Sequence, residues 1–241
     1  KLFLSRDRFG EKPLFFKKTA KGIIFGSELK ALEAIPNNNC NQLNFTNLQK
    51  YCAYGFFPKN ITPYKNIFKL KPGSNLIYDL KNHTMEEKVF WKYAINPDNN
   101  KSEEEWIHDL DTALNNSVKN RMISDRTLGV FLSGGLDSSL ITNYASKFKK
   151  NLSTFSINFD EKSFDESSYS NLIAEKYSTN HHFNKISIKN FNKSIPEFLN
   201  YIDEPISDSA IVSTYELCKM AKKNIVVGLS GDGADELFLG Y

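Results

Sequence analysis

The chain has 241 residues, 40% of them hydrophobic, and its 31 basic and 28 acidic side chains leave a formal charge of +3. This length accommodates one large or two small domains with a buried core. The charges are spread without a dense basic block, which gives no support to nucleic-acid binding. No apolar run approaches the roughly 18 residues of a membrane span, and no signal-peptide pattern opens the chain. We therefore expect a soluble, cytoplasmic protein with neither nucleic-acid nor membrane partners.

The cysteines and the chain ends give two further expectations. Cys40, Cys52 and Cys218 have no CxxC spacing, so they favour neither a disulfide framework nor a zinc site, and we expect buried or incidental thiols. The chain begins at Lys1 in a strand-like segment and stops at Tyr241 without a terminal signal. We expect it to be a fragment of a longer protein.

Residues 1–94 predict an α+β domain rich in antiparallel hairpins. Two short helical stretches, Ser27–Ile35 and Phe45–Tyr54, lie among strand-like segments. The predicted strands are LFL, PLFFKK, GIIFGS, NLIYDL and KVFWKY, the last reaching Tyr93. Residues 95–101 are polar, contain a proline and lack periodicity, which predicts a linker.

Residues 102–241 follow a different pattern. Ser102 and Glu105 form a capping box, and an amphipathic helix follows with apolar residues at Trp106, Leu110, Ala113, Leu114 and Val118. Strands and helices then alternate. The strands are GVFL, TFSINF, HHFNKIS and NIVVGLS, and the helices span residues 138–148, 166–177, 191–201 and 209–222. This alternation predicts an α/β fold with a doubly wound parallel sheet, whose ligands bind at the carboxyl ends of the strands.

The stretch FLSGGLDSSL, residues 131–140, joins a strand, a glycine turn and a helix start. Glycines let backbone N–H groups approach a phosphate, and a helix N-terminus adds the positive end of its dipole. A side chain at Gly135 is expected to fill the phosphate space and to resist a positive φ. The P-loop lysine is absent, which favours pyrophosphate as a leaving group and an adenylate product over transfer of the γ-phosphate. An ordinary strand-to-helix turn is the alternative.

The stretch VVGLSGDGADELFLGY, residues 226–241, repeats the Ser-Gly turn after another strand. It adds three carboxylates, Asp232, Asp235 and Glu236, at the same predicted edge of the sheet. Carboxylates beside a polyphosphate repel it unless a hard cation lies between them. Asp137 and Asp235 are therefore predicted ligands of Mg²⁺, and an acidic surface turn is the alternative.

Four segments in order, SRDRFGEKPLFF, GSELKAL, SGGLDSSL and SGDGADELFLGY, resemble the glutamine-dependent asparagine synthetases. SGGLDSS alone is similar to the pyrophosphate loop of the N-type ATP pyrophosphatases. The resemblance implies the latter part of a class II glutamine amidotransferase domain of the Ntn type over residues 1–94. It implies the first part of an ATP pyrophosphatase domain, of the adenine-nucleotide α-hydrolase-like fold, over residues 102–241. The implied substrates are ATP, aspartate and glutamine or ammonia. The implied products are asparagine, AMP and pyrophosphate, formed through β-aspartyl-AMP.

The resemblance also implies roles for individual residues. Leu132 and Ile157 would contact the adenosine part of ATP, and Asp137 and Asp235 would hold Mg²⁺. The remaining nucleotide contacts would be Ser133, Gly134, Gly135, Ser138, Ser139, Ser230 and Gly231. Asp232 stands where the family usually has Glu and would be the catalytic proton acceptor for ammonia. Glu236 and Tyr241 would contact the substrate.

Departures from the family pattern leave alternatives open. The family's glutaminase half uses an N-terminal cysteine, whereas residue 1 is Lys, and the family's later catalytic lysine would lie beyond Tyr241. We therefore expect the chain as given to lack both complete activities. Asp232 in place of Glu leaves open an amidotransferase of the same fold that acts on a polysaccharide uronic acid or a peptide carboxylate. A non-catalytic nucleotide-binding homologue and a homodimer are also open.

Three smaller motifs have structural interpretations. His181 and His182 could bind a metal, but neighbouring residues on a strand point to opposite faces, which favours a structural role. Asp165 is predicted to cap a helix. The Asp203-Glu204-Pro205 turn is expected either to order a loop over the site or to be an exposed acidic turn.

Overall fold

The computed structural model describes residues 1–35, 42–161 and 165–241, and Cys40 lies outside them. The chain forms two compact units. The first contains Lys1–Pro97 with Tyr201–Asp208, and the second contains Asp98–Asn200 with Ser209–Tyr241. Residues 201–208 thus return to the first unit, whereas the division predicted from the sequence assigned them to the second domain.

The first unit is built from short strands and two helices. Its elements are β1 Leu2–Ser5, β2 Phe15–Thr19, β3 Gly22–Gly26, α1 Leu29–Glu33, α2 Phe45–Tyr54, β4 Phe68–Lys69, β5 Ser74–Tyr78 and β6 Met85–Val89. They form two antiparallel sheets, with strand orders β1-β5-β6 and β3-β2-β4. Phe15 and Phe16 belong to different core clusters, because successive side chains of β2 point to opposite faces.

The last strand of this unit differs from the prediction. KVFWKY was expected to be a strand as far as Tyr93, whereas β6 ends at Val89, opposite Ser74. The amides of Phe90 and Trp91 both donate to the carbonyl of Gly73, at 2.8 and 3.1 Å. The chain therefore folds around Gly73, whose φ is +62°, instead of continuing the ladder.

Residues 201–208 are tied to the first unit by two carboxylates. Asp203 Oδ2 accepts the amide N–H of Leu29, the first residue of α1, at 2.5 Å. Glu204 Oε2 lies 2.6 Å from Lys69 Nζ, and the side chains of Lys69 and Glu204 are 15% and 16% exposed. Burial raises the pKa of Glu204, while the hydrogen bond from Lys69 opposes that shift. The expectation of an exposed acidic turn is therefore wrong.

The contact between Asp203 and α1 predicts a stability difference between two variants. Asp203→Ala is expected to lower the free energy of unfolding by about 1–2 kcal/mol, because the fully buried Leu29 loses the acceptor of its amide. Asp203→Asn keeps an oxygen that can accept this bond and is the matched control. Urea unfolding of the two variants measures the difference, and equal losses would show that the acceptor is not what stabilises α1.

The second unit has the predicted alternating pattern. Its elements are α3 Glu103–Arg121, β7 Leu128–Phe131, α4 Leu136–Phe148, β8 Ser153–Phe159, α5 Ser167–Lys176, β9 Asn180–Ile186, α6 Ile188–Phe198, α7 Ala210–Ala221, β10 Val227–Leu229 and α8 Ala234–Phe238. The four strands form one parallel sheet in the order β10-β7-β8-β9. The chain moves from β7 through β8 to β9 and then crosses to the other side of β7 for β10. The switch point lies between β7 and β10, where open α/β sheets bind their ligands.

Helices cover both faces of this sheet. Val130 of β7 packs with Tyr144 and Ala145 of α4, whereas the next residue, Phe131, packs with Phe155 and with Ala221 of α7. The side chains of a strand alternate between faces, so these two clusters lie on opposite sides of the sheet. The predicted doubly wound α/β fold is confirmed.

Helix α3 starts as predicted, but its apolar face is only partly buried. Ser102 Oγ accepts the amide of Glu105, and the Glu105 carboxylate accepts the amide of Ser102, which completes the capping box. Of the apolar residues, Val118 is buried and Leu114 packs against the core, while Trp106 and Leu110 are 46% and 41% exposed. Only the C-terminal half of α3 packs on the core cluster of this sheet face.

Two other expectations concern the whole chain. Cys52 and Cys218 are free and exposed, so a buried role does not apply to either of them. Across residues 1–35, 42–161 and 165–241, no helix has both the length and the apolar character that crossing a bilayer requires.

Candidate active site

A cleft of about 1070 Å³ opens in the second unit at the carboxyl ends of its strands. Its wall includes residues from β7, β8, α4, α7 and α8 and both Ser-Gly turns. The volume lies just above the usual range of small-molecule sites, about 300–1,000 Å³. A nucleotide with a second small substrate is of a size that suits such a cleft.

The two glycines of the first Ser-Gly turn differ in backbone conformation and in the space around them. Gly134 has a φ of +95°, and a Cβ there would lie 2.6 Å from Ser170 N and from Tyr169 Cβ. Gly135 has a φ of −65°, and a Cβ there would meet only Ser133 Oγ, at 3.4 Å. The expectation of a positive φ at Gly135 is therefore wrong, since Gly134 makes the left-handed turn. Gly135 leaves open space in the wall of the cleft.

Ser138 holds the shape of this turn. Its largely buried hydroxyl oxygen accepts the amides of Ser133 and Gly134, each at 3.3 Å, and donates to the carbonyl of Gly135. The hydroxyl of Ser139 also donates to the carbonyl of Gly135, at 2.7 Å. Ser133, Gly135 and Ser138 line the cleft, whereas Gly134 and Ser139 are not part of its wall.

The second Ser-Gly turn contacts the first. A Cβ at Gly231 would lie 2.8 Å from Asp137 Cβ and 3.1 Å from the amide nitrogen of Ser138, so a side chain does not fit there. Ser230 and Gly231 line the cleft together with Asp137. The structure thus brings the two turns to one edge of the sheet, at the switch point between β7 and β10.

The wall of the cleft is acidic. Asp137, Asp232, Asp235 and Glu236 line it, and it includes neither lysine nor arginine in the part of the chain that the structure describes. Ser230 Oγ donates to Asp232 Oδ2 at 2.9 Å. Tyr241 OH donates to Glu236 Oε1 at 2.6 Å, and this hydrogen bond lowers the pKa of Glu236. A polyanion bound here would need a cation to offset these charges.

The carboxylates suit a metal that is shared with a ligand. Among the described residues no group of three or more His, Cys, Asp or Glu side chains could hold a metal by itself. Mg²⁺ is usually held by one or two carboxylates together with water and substrate phosphates. The donor chemistry of Asp137 and Asp235 fits that pattern.

The wall around the predicted adenosine contacts also contains Phe155 and part of α7, which the sequence did not single out. Leu132 and Ile157 both line the cleft, as do Phe155 and Ser156 of β8. The start of α7 adds Ser209, Ala210, Ser213, Thr214 and Leu217 to the wall. Ser209 and Ser213 are four residues apart and therefore lie on one helix face, and this spacing was the sequence signal that could have indicated a polar face of α7 in the wall.

The two histidines lie on opposite faces of β9. His181 is in hydrogen-bonding distance of Thr154 Oγ1 and Ser156 Oγ, and the ring of His182 stacks on Phe155 with a centroid separation of 5.0 Å. These contacts agree with a structural role. Asp165 was predicted to cap helix α5, but the N-cap of α5 is Glu166; Asp165 lies one residue earlier, where its Oδ1 accepts the amide of Ser167 at 3.2 Å.

The fold and the cleft define a doubly wound α/β protein with two Ser-Gly turns at its switch point. The sequence matches the Asparagine synthase family over residues 109–241, more than half of the chain, and the Glutamine amidotransferase domain over residues 1–91. The chain belongs to the asparagine synthase family.

Relatives match the whole chain. A protein from Methanocaldococcus jannaschii, provisionally named an asparagine synthetase (glutamine-hydrolyzing), is 37% identical over 245 residues, which cover 100% of this chain and 47% of that protein. Asparagine synthetase (glutamine-hydrolyzing) 1 from Bacillus subtilis is 32% identical, over 100% and 37% of the two lengths. The chain thus spans half or less of these relatives. Among solved structures, the glutamine-dependent NAD⁺ synthetase from Acinetobacter baumannii in complex with ADP is 16% identical and covers 74% of this chain and 33% of its own chain. Its TM-score of 0.40 is too low to support an inference.

Proposed function

We propose that this protein is a glutamine-dependent ligase that amidates aspartate to asparagine at the expense of MgATP. The reaction would proceed through β-aspartyl-AMP and release AMP and pyrophosphate. The observation that carries the proposal is the contact between the two Ser-Gly turns, which lines one acidic cleft with Asp137 and Asp235. Membership of the asparagine synthase family supports the same reaction. Its substrates are cytoplasmic metabolites, which supports a cytoplasmic location.

In this proposal the turn at Ser133 to Gly135 binds the pyrophosphate part of ATP. Gly135 leaves its side of the cleft open, so phosphate oxygens can approach the start of α4. Asp137 and Asp235 would hold Mg²⁺, which when bound offsets the charge of the phosphates. Leu132 and Ile157 provide apolar surface for the adenosine.

The acceptor would lie on the side of the cleft formed by the second turn. Asp232 is exposed and accepts a hydrogen bond from Ser230, so it can receive a proton from the attacking ammonia. Glu236 and Tyr241, joined to each other, would contact the acceptor. The first unit, which matches the Glutamine amidotransferase domain, would be part of the source of ammonia.

The proposal is tested by pyrophosphate release from the full-length protein with MgATP and ammonia. Aspartate is compared with no acceptor and with a panel that includes a uronic acid and a peptide carboxylate. Release that depends on aspartate and yields asparagine is the expected result. Release with another acceptor alone would retain the adenylation and reject aspartate, and absence of release with every acceptor would reject the ligase.

A further inference from the structure

A row of polar side chains lies inside the parallel sheet of the second unit. Thr154, Ser156 and Asn158 occupy alternate positions of β8, and all three are buried. Strands of parallel sheets that are covered on both faces are usually apolar. A buried polar row has a cost unless its groups are hydrogen-bonded, so its partners matter.

Hydrogen bonds connect two members of this row, Thr154 and Ser156, through the ring of His181. Thr154 Oγ1 lies 2.8 Å from Thr179 Oγ1 and 2.9 Å from His181 Nδ1. His181 Nε2 lies 3.0 Å from Ser156 Oγ. The ring is therefore held at both nitrogens, and the connected groups run in the order Thr179, Thr154, His181, Ser156.

The last member of this series belongs to the wall of the cleft. The pairing of β7 with β8 ends at Phe131 and Phe155, and Ser156 is the next residue of β8, at the level where β7 is followed by the first Ser-Gly turn. Thr154, Thr179 and His181 are not part of that wall. His181 thus touches a residue of the cleft without lining the cleft itself.

We propose that His181 is a positioning residue for the nucleotide, acting through the hydroxyl of Ser156. The inference rests on the proposed function, because it takes the ligand beside Ser156 to be MgATP. Ser156 shares one hydrogen bond with Nε2 and keeps its remaining hydrogen-bonding capacity for the nucleotide.

The imidazole suits this task because it is fixed and neutral. Burial lowers the pKa of His181, and the neighbouring His182 adds to the shift, so both favour the uncharged ring. A neutral ring has one donor and one acceptor nitrogen. The hydrogen bond with Thr154 at Nδ1 determines which role Nε2 takes towards Ser156, and therefore whether Ser156 offers its proton or a lone pair to the ligand.

Two substitutions of His181 test the hydrogen bonds at its two ring nitrogens separately. The amide of glutamine reaches the region of Nε2 and can contact Ser156, whereas the shorter amide of asparagine reaches only the region of Nδ1 and Thr154. In the full-length protein, His181→Asn is expected to raise the Kd for MgATP, measured calorimetrically, by about three- to tenfold, the effect of one neutral hydrogen bond. His181→Gln is expected to stay close to wild type. KM for ATP should follow Kd, with kcat almost unchanged.

Ser156→Ala completes the test. It should weaken MgATP binding as much as His181→Asn does, and the double variant should be no weaker than either single variant. Ser74→Ala is the matched control, because Ser74 is fully buried in β5 of the first unit and its hydroxyl donates to the carbonyl of Pro72. Its Kd for MgATP should equal that of wild type.

The outcomes distinguish this inference from the proposed function. Equal Kd values for His181→Asn and His181→Gln, or a lower melting temperature without a change in Kd, would overturn the positioning role. A wild-type protein that binds MgATP but releases no pyrophosphate would overturn the ligase and still allow the Kd comparison. A wild-type protein that binds no MgATP would overturn both.

Discussion

Gly134→Ala is expected to unfold or severely destabilise the second unit, by more than the roughly 1–3 kcal/mol that a positive φ costs a non-glycine residue. The backbone φ of +95° excludes a side chain, and the added Cβ would collide with Ser170 N and Tyr169 Cβ at 2.6 Å. Helix α5 blocks the way, so the first Ser-Gly turn itself must move. Thermal unfolding measures the loss.

Gly135→Ala is the matched control, because Gly135, unlike Gly134, has a negative φ and open space around the position of a Cβ. The φ of −65° accepts alanine, and the Cβ meets only Ser133 Oγ at 3.4 Å, so the cost in stability should stay below about 1 kcal/mol. The methyl group would instead enter the space that we assign to phosphate, and MgATP affinity should fall. Stability losses of equal size in the two variants would contradict this division of tasks.

The second large effect is expected for Asp235→Asn, which should lower kcat/KM for pyrophosphate release at least about a hundredfold. The variant retains the shape of the side chain and removes the charge that we assign to Mg²⁺. Asp235 is only half-buried, so the melting temperature should change little. Asp137→Asn should lower kcat/KM in the same way. Its free energy of unfolding should also fall by about 0.3–1 kcal/mol, because Asp137 lies in the first turn of α4, where a negative charge is favourable.

Asp160→Asn controls for the loss of a carboxylate near the same edge of the sheet. Asp160 follows β8, pairs with Lys185 at 3.3 Å and is not part of the cleft wall. Its kcat/KM should match that of wild type. If Asp235→Asn retains wild-type turnover over a titration of Mg²⁺, Asp235 is not a metal ligand.

The fold could be predicted from the sequence where a local pattern determines the structure. The glycine turns, the capping box at Ser102 and the alternation after Leu128 each set an element, with bounds that differ from the predicted ones by up to about three residues. The end of β6 could not be predicted, because it depends on the carbonyl of Gly73, which is distant in sequence. The roles of Asp203 and Glu204 also depend on remote partners, Leu29 and Lys69.

The candidate site likewise has features that a local sequence pattern predicts and features that depend on contacts between distant residues. The two Ser-Gly turns are readable because each directly follows a strand, and parallel strands bring their carboxyl ends to one edge. Gly134 has the positive φ and also packs closely against Tyr169 and Ser170 of α5, a contact that no local pattern reveals. The pairing of His181 with Ser156 requires the register of β8 and β9, which the sequence of either strand alone does not fix.

The return of residues 201–208 has a consequence for how this protein can be recombined. The polypeptide passes between the units three times, after Pro97, Asn200 and Asp208, although the two family matches divide the sequence only once. A chimaera joined at the single boundary would bring a foreign Asp203 and Glu204 to the native α1 and Lys69. The two units are therefore separate in their cores but not interchangeable as modules, and this short segment has to be inherited with the first unit.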